Sequence, residues 1–206
     1  MKLTYFGIYG RAEPIRILFD HANVKFEDNR IGFPDMAELK KSGYLEFGQV
    51  PALEWKDGTV MTQSVSILRA LGMEYGYYPT DPLQMWLCDS TLDALYDVAP
   101  KAAQIFFAPS DAGKAEALKE FLEVHLPSLL KIMNTRLNGK VYFTGKMSIA
   151  DIAFGAFLAQ TACNPASPHQ KAFEGVMKQF KNVEAFWANF AKDHAAHLKN
   201  RPAAFF

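Results

Sequence analysis

Phe47-Gly-Gln-Val-Pro-Ala-Leu-Glu-Trp-Lys-Asp-Gly-Thr-Val-Met-Thr-Gln-Ser-Val-Ser-Ile-Leu-Arg69 places a backbone hydrogen-bonding site beside the start of a helix. Pro51 has no N–H to give to a sheet, and Val50 before it is pushed into an extended conformation, so the Val50 backbone is expected to pair outward with an extended ligand. Asp57-Gly58 marks a tight hairpin between two short apolar runs, Ala52 to Trp55 and Thr59 to Met61. Gln63 and Ser64 stand where the next helix begins. The unpaired N–H groups and positive dipole end of a helix favour a carboxylate there. The stretch therefore predicts an anion and an extended backbone held side by side, a place for a small peptide.

Upstream, Lys2 to Phe6 reads as a short strand, Gly7 to Gly10 as a turn, and Arg11 to Phe19 as a helix that tolerates Pro14 in its first turn. Tyr5 then lies near a strand end and faces a helix N-terminus. A phenol in that position donates a hydrogen bond to an anion, while Arg11 and the helix dipole add positive potential. A thiol, whose free pKa is roughly 8.5, would be held there as its reactive thiolate.

Composition narrows the partners. The chain has 206 residues, enough for one large domain or two small ones, and 50% of them are hydrophobic. Lys+Arg and Asp+Glu are equal at 22, so no overall field favours nucleic acid or an acidic membrane surface. No apolar run reaches about 18 residues and no basic, apolar leader opens the chain, which sets the expectation of a cytoplasmic protein without a membrane span. Cys88 and Cys163 are far apart and read as reduced buried thiols, with no Cys-x-x-Cys pair for disulfide exchange. His21, His125, His169, His194 and His197 show no ligand spacing, and no metal is expected.

Residues 1–77 follow the pattern strand, helix, strand, helix, two strands, helix. Turn formers from Gly72 to Pro82 end that texture, with 78–82 as linker, and residues 83–206 read as long helices with apolar positions at helical spacing and no internal repeat. One helix is expected from Leu83 to Phe107, bent at Pro100 and ended by Pro109 to Gly113. A second is expected from Lys114 to Leu137, kinked at Pro127 and closed by Asn138-Gly139. Ser148-Ile-Ala-Asp151, flanked by Met147 and Ile152, reads as a capping box with a hydrophobic staple. A last helix is expected around Val183 to His197. The tail then ends on Phe205 and Phe206, which either pack back on the protein or line a pocket.

Tyr5-Phe6, Gly10-Arg11-Ala12-Glu13, Phe47-Gly48-Gln49-Val50-Pro51-Ala52-Leu53, Gln63-Ser64 and Ser148-Ile149-Ala150-Asp151 resemble, in order and spacing over about 150 residues, the tyrosine-type soluble glutathione transferases, closest to the sigma class with mu and pi near behind. The resemblance implies an α/β plus all-α chain. An N-terminal thioredoxin-like domain would bind glutathione, and an all-helical C-terminal domain would contribute the electrophile pocket. It implies a homodimer that conjugates the glutathione thiolate to small hydrophobic electrophiles, with no cofactor beyond glutathione itself. Two alternatives stay open: glutathione-dependent isomerisation of a prostaglandin-type endoperoxide, and a non-catalytic crystallin or ligand carrier.

Carried over residue by residue, the resemblance makes Tyr5 the donor to the sulfur and Arg11 its electrostatic support. Gln49, Val50 and a cis Pro51 would bind the cysteinyl backbone, and Gln63 and Ser64 the γ-glutamyl carboxylate. Lys40 or Lys41 would meet the glycine carboxylate, although the tryptophan that many relatives carry just upstream is missing here. Asp97 would reach the γ-glutamyl amine in the other subunit. Ile8, Tyr9, Phe107 and Phe206 would line the electrophile pocket. Phe47 sits in a loop that some classes insert into the partner subunit, and an apolar side chain there suits its own core equally.

Overall fold

Leu3, Thr4 and Tyr5 are buried at the centre of strand β1 (Lys2–Phe6), which lies inside a four-stranded sheet. The computed structural model describes residues Met1–Phe206, which divide into the units Met1–Tyr78 and Pro79–Phe206. In the first unit the sheet order is β2-β1-β3-β4. β2 (Glu27–Ile31) runs parallel to β1, with Tyr5 opposite Arg30. β3 (Ala52–Glu54) is antiparallel to β1, and β4 (Val60–Thr62) is antiparallel to β3. A parallel neighbour requires a crossover, which helix α1 (Glu13–His21) supplies.

Ile15, Ile17, Leu18 and Phe19 of α1 are buried, as are Ile67, Leu68 and Leu71 of α3 (Ser64–Tyr75), and the two helices touch. Each such side chain contributes about 1.5–3 kcal/mol of burial. Helix α2 (Phe33–Lys41) differs, because none of its residues is buried. The hairpin forms as its Asp-Gly pair predicts. Asp57 Oδ1 accepts the Thr59 N–H at 2.9 Å, and the Trp55 N–H bonds to the Thr59 carbonyl at 2.8 Å.

The second unit is helical. Asp81 caps α4 (Pro82–Phe107) by accepting the N–H groups of Leu83 and Gln84 at 3.1 and 3.0 Å, and Pro100 lies inside the helix. The following helix starts earlier than the Pro109 to Gly113 break suggests. Ser110 Oγ accepts the Gly113 N–H at 3.1 Å and nucleates α5 at Asp111–Glu120. The expected single helix to Leu137 is interrupted by a π turn, Phe121–His125, before α6 (Leu126–Leu137). Pro127 follows the π turn directly inside a continuous helical run, where its missing N–H leaves the preceding turn one bond short.

Every residue of α7 (Ile149–Gln160) is buried. Its start is the predicted box: Asp151 accepts the Ser148 N–H and hydroxyl at 2.9 and 2.6 Å and the Phe143 N–H at 2.9 Å. Gly155 of α7 faces the Phe190 ring so closely that a Cβ would collide with it. After α8 (Gln170–Met177), the expected helix from Val183 to His197 is two helices, α9 (Lys181–Asp193) and α10 (Ala195–Asn200). They divide at the buried His194, whose ring lies 4.2 Å from that of Phe190. The tail packs back: the Ala204 carbonyl accepts from Asn164 Nδ2 at 3.0 Å, and the Phe206 ring lies 5.1 Å from Phe106 and 6.1 Å from Phe107. Both thiols are free, and burial pushes Cys88 up to about 11 and Cys163 up to about 12.

Candidate functional site

Tyr5 ends the buried part of β1, and its hydroxyl oxygen accepts the backbone N–H of Arg11 at 3.1 Å. The chain closes this contact by a turn through Gly7 to Tyr9 and a 3-10 segment, Gly10–Ala12, that leads into α1. Gly10 has φ +45°, and a Cβ there would lie 2.9 Å from Tyr5 Cε1 and nearer still to its hydroxyl, so only glycine leaves room for the phenol. Burial raises the Tyr5 pKa above its ordinary 10.0, against the pull of the Arg11 N–H and the charges of Arg11 and Arg16. The phenol thus keeps its proton at neutral pH. Because the oxygen already accepts from Arg11, that proton is free to point at an anion.

Arg16 is a residue the sequence reading passed over. An arginine in an otherwise apolar helical run is expected to reach solvent, yet this one is only 2% exposed. Its Nε donates to Asp28 Oδ1 at 3.1 Å, and Nη1 donates to the Ile8 carbonyl at 2.9 Å and the Tyr9 carbonyl at 3.4 Å. Glu13, also buried, lies 3.5 Å from Nη1 and supplies a second carboxylate. The only sequence signal for this cluster is Glu13 three residues before Arg16, a spacing that on its own reads as a surface pair.

The second group of predicted residues gathers at the start of β3, where Ala52 pairs with Thr4 of β1 and with Thr62 of β4. The Val50-Pro51 bond is cis. Gln63 precedes α3 with φ +68°, a conformation that costs a non-glycine residue about 1–3 kcal/mol, and its amide nitrogen donates to Gln49 Oε1 at 3.4 Å. Ser64 is the buried first residue of α3, and the first intrahelical bond there runs from the Ile67 N–H to the Gln63 carbonyl at 2.9 Å. The N–H groups ahead of it have no intrahelical acceptor. Gln49, Gln63 and the open end of α3 therefore meet at one place.

The two lysines separate. Lys41 Nζ pairs with Glu38 at 3.0 Å on the exposed face of α2. Lys40 Cε lies 3.7 Å from where a Gly48 Cβ would be, so its side chain runs along the loop that leads to Gln49. Phe47, in the same loop, is 57% exposed, which excludes packing in its own core. Of the remaining residues, Asp97 is exposed on α4, Ile8 is partly buried and Tyr9 is buried. Phe107 is half-exposed against a buried Phe206. No group of three His, Cys, Asp or Glu side chains is placed to hold a metal ion, and no helix is long and apolar enough to cross a membrane.

Residues 1–72 match the family model "Glutathione S-transferase, N-terminal domain", and residues 96–197 match "Glutathione S-transferase, C-terminal domain". The chain is 37% identical over 166 residues to "Glutathione S-transferase 1" of Ascaris suum, covering 77% of this chain and 78% of the relative. It is 36% identical over 148 residues to "Hematopoietic prostaglandin D synthase" of Gallus gallus, 70% of each chain. Among solved structures, the Ascaris lumbricoides glutathione S-transferase superposes with TM-score 0.84 at 27% identity, covering 100% of this chain and 98% of the other.

Proposed function

Since this chain belongs to the glutathione S-transferase family, we propose that its Tyr5 hydroxyl donates a hydrogen bond to the sulfur of glutathione and holds it as the thiolate that attacks a small hydrophobic electrophile. The observation that carries this reading is the Arg11 N–H to Tyr5 oxygen contact at 3.1 Å, which leaves the phenol proton as the free donor. A hydrogen bond to a charged sulfur is worth on the order of 1.5–3 kcal/mol, roughly one to two pKa units, and Arg11 adds its positive charge. The thiolate then displaces a leaving group from a soft carbon or adds to it, forming a thioether.

The rest of glutathione is assigned by the same logic. Val50 pairs its backbone with the cysteinyl unit beside Gln49 and Pro51. Gln63, Ser64 and the α3 N-terminus receive the γ-glutamyl carboxylate. Lys40 takes the glycine carboxylate in preference to Lys41, which is committed to Glu38. Asp97 meets the γ-glutamyl amine across a homodimer, where the exposed Phe47 finds its cover in the second subunit. Ile8 and Tyr9 in the first unit, and Phe107 and Phe206 in the second, are assigned to the electrophile. Detoxification in the cytoplasm is the setting this chemistry suits.

A glutathione conjugation assay with an aromatic halide tests the reading: turnover should be present in the wild type and strongly reduced in Tyr5→Phe. A folded protein that binds glutathione without turning over any electrophile would instead be a carrier. The similarity to the chicken prostaglandin D synthase favours a second reading, isomerisation of a prostaglandin-type endoperoxide by the same thiolate. Product analysis with such an endoperoxide decides between the two.

A further inference from the structure

Arg16 is the largest of the fully buried side chains, and its Nη donors are turned onto a single stretch of backbone. Nη1 serves the carbonyls of Ile8 and Tyr9, and Nη2 lies 3.5 Å from the carbonyl of Phe6. These carbonyls belong to the only covalent link between Tyr5 and Arg11. Asp28 on β2 and Glu13 on α1 hold the guanidinium from both sides at 3.1 and 3.5 Å. The guanidinium carbon also lies 5.9 Å from the centroid of the Tyr5 ring.

Burying such a charge is expensive, and an apolar side chain of similar size often stabilises a fold as well as a buried ion cluster does. An arginine at this point has a different advantage. Its planar fork fixes several acceptors at once in a rigid geometry that neither lysine nor an apolar group reproduces. A loop whose carbonyls turn inward needs those donors, because an unpaired buried carbonyl is destabilising.

We propose that Arg16 is a positioning residue for the thiolate chemistry: by gathering the carbonyls of Phe6, Ile8 and Tyr9 it holds the Arg11 N–H against the Tyr5 oxygen, and so aims the phenol proton at the glutathione sulfur. The inference rests on the assignment of Tyr5 made above. Its positive charge beneath the ring acts in the same direction, drawing the phenol towards stronger donation.

The test is an ultraviolet titration of the glutathione thiolate bound to wild type, Tyr5→Phe, Arg16→Lys and the double variant. Arg16→Lys keeps the charge and loses the fork. It should raise the bound thiol pKa by about one unit, with little change in the KM for glutathione, and should add nothing once Tyr5 is phenylalanine. A folded Arg16→Lys protein with the wild-type thiol pKa overturns the inference, as does a shift that adds in full to that of Tyr5→Phe. If Tyr5→Phe itself leaves the pKa unchanged, the failure lies with the Tyr5 assignment instead. Should Arg16→Lys not fold, Asp28→Asn carries the same measurement. It frees Nε from its anchor, and the expected rise of about half a unit must vanish in the Tyr5→Phe background. An Asp28→Asn protein that titrates like wild type overturns the proposal.

Discussion

The two sides of the proposed glutathione site in the first unit are built in opposite ways. On the side of β1 and α1, Tyr5, Glu13 and Arg16 are buried, and a web of charged hydrogen bonds fixes the turn between them. On the side of α2, no helical residue is buried, Phe33 is 73% exposed against the ring of Phe6, and Lys40 reaches its loop along a solvent-facing path. The side that must aim a proton at a reacting atom is rigid. The side that only attracts a carboxylate works through a long-range charge, which tolerates movement of an ångström or two.

The contrast breaks most sharply at two glycines with positive φ. Gly10→Ala would drive a methyl group into the Tyr5 hydroxyl, and kcat/KM should fall by about a hundredfold or more. Gly48→Ala has a similar backbone cost of about 1–2 kcal/mol but meets only Lys40 Cε, at 3.7 Å, so activity should stay within about threefold. Steady-state kinetics beside a thermal melt separate the two costs. Equal losses of activity would end the distinction between a rigid and a tolerant side.

Helix starts give a second form of the same comparison. Asp151 at α7 and Asp35 at α2 occupy the same third helical position and each accepts the N–H of its N-cap residue, one buried and one exposed. Asp151→Ala strands the Phe143 and Ser148 N–H groups and should cost about 2–3 kcal/mol in a denaturant melt, whereas Asp35→Ala should cost about 0.5–1 kcal/mol. Burial lifts the Asp151 carboxyl to about 6, while hydrogen bonds from Ser148 and Phe143 pull it down. A folded-state pKa above the unfolded one means that the native state holds the proton more tightly. The stability of wild type relative to Asp151→Asn should therefore be greatest below about pH 4, fall as the pH rises to about 6, and level off above it. A difference that grows over that window would contradict the sign.

Within the rigid side, Tyr5→Phe should raise the pKa of bound glutathione by about one to two units without loss of fold, while Tyr9→Phe should leave it nearly unchanged. The larger shift in the Tyr9 variant would move the donor assignment. The smallest effect belongs to the tolerant side. Lys40→Ala should raise the KM for glutathione about threefold to tenfold with kcat retained, and Lys41→Ala should do neither. If the two lysine variants behave alike, the path of Lys40 along Gly48 has no bearing on binding.

Much of this molecule is written locally. The Asp57-Gly58 hairpin, the Ser148 and Asp151 box and the Asn138-Gly139 helix end each close hydrogen bonds within a few residues of each other, so a short stretch of sequence contains the whole cause. The β1 to α3 order and the change to helical texture beyond the Gly72 to Pro82 turn cluster are legible for the same reason, since hydrophobic period is a local property. The departures in the helical unit are different in kind. The π turn at Phe121–His125 and the break at His194 each fall beside a ring seated against another helix, Phe121 against Phe173 of α8 and Phe190 against Gly155 of α7, and such long-range packing leaves no trace in helical spacing. The interior place of Arg16, the outward face of Phe47 and the separation of Lys40 from Lys41 were likewise decided only by the tertiary structure. Arg16 meets Asp28 on another strand and Lys40 meets the turn at Gly48, and both depend on how the sheet and loops close in space, whereas Lys41 stays with Glu38 of its own helix. Sequence by itself determined which residue types the chemistry needs and the local turns that carry them; burial, which sets both the strength of a charge and the cost of leaving it unpaired, was fixed by the fold.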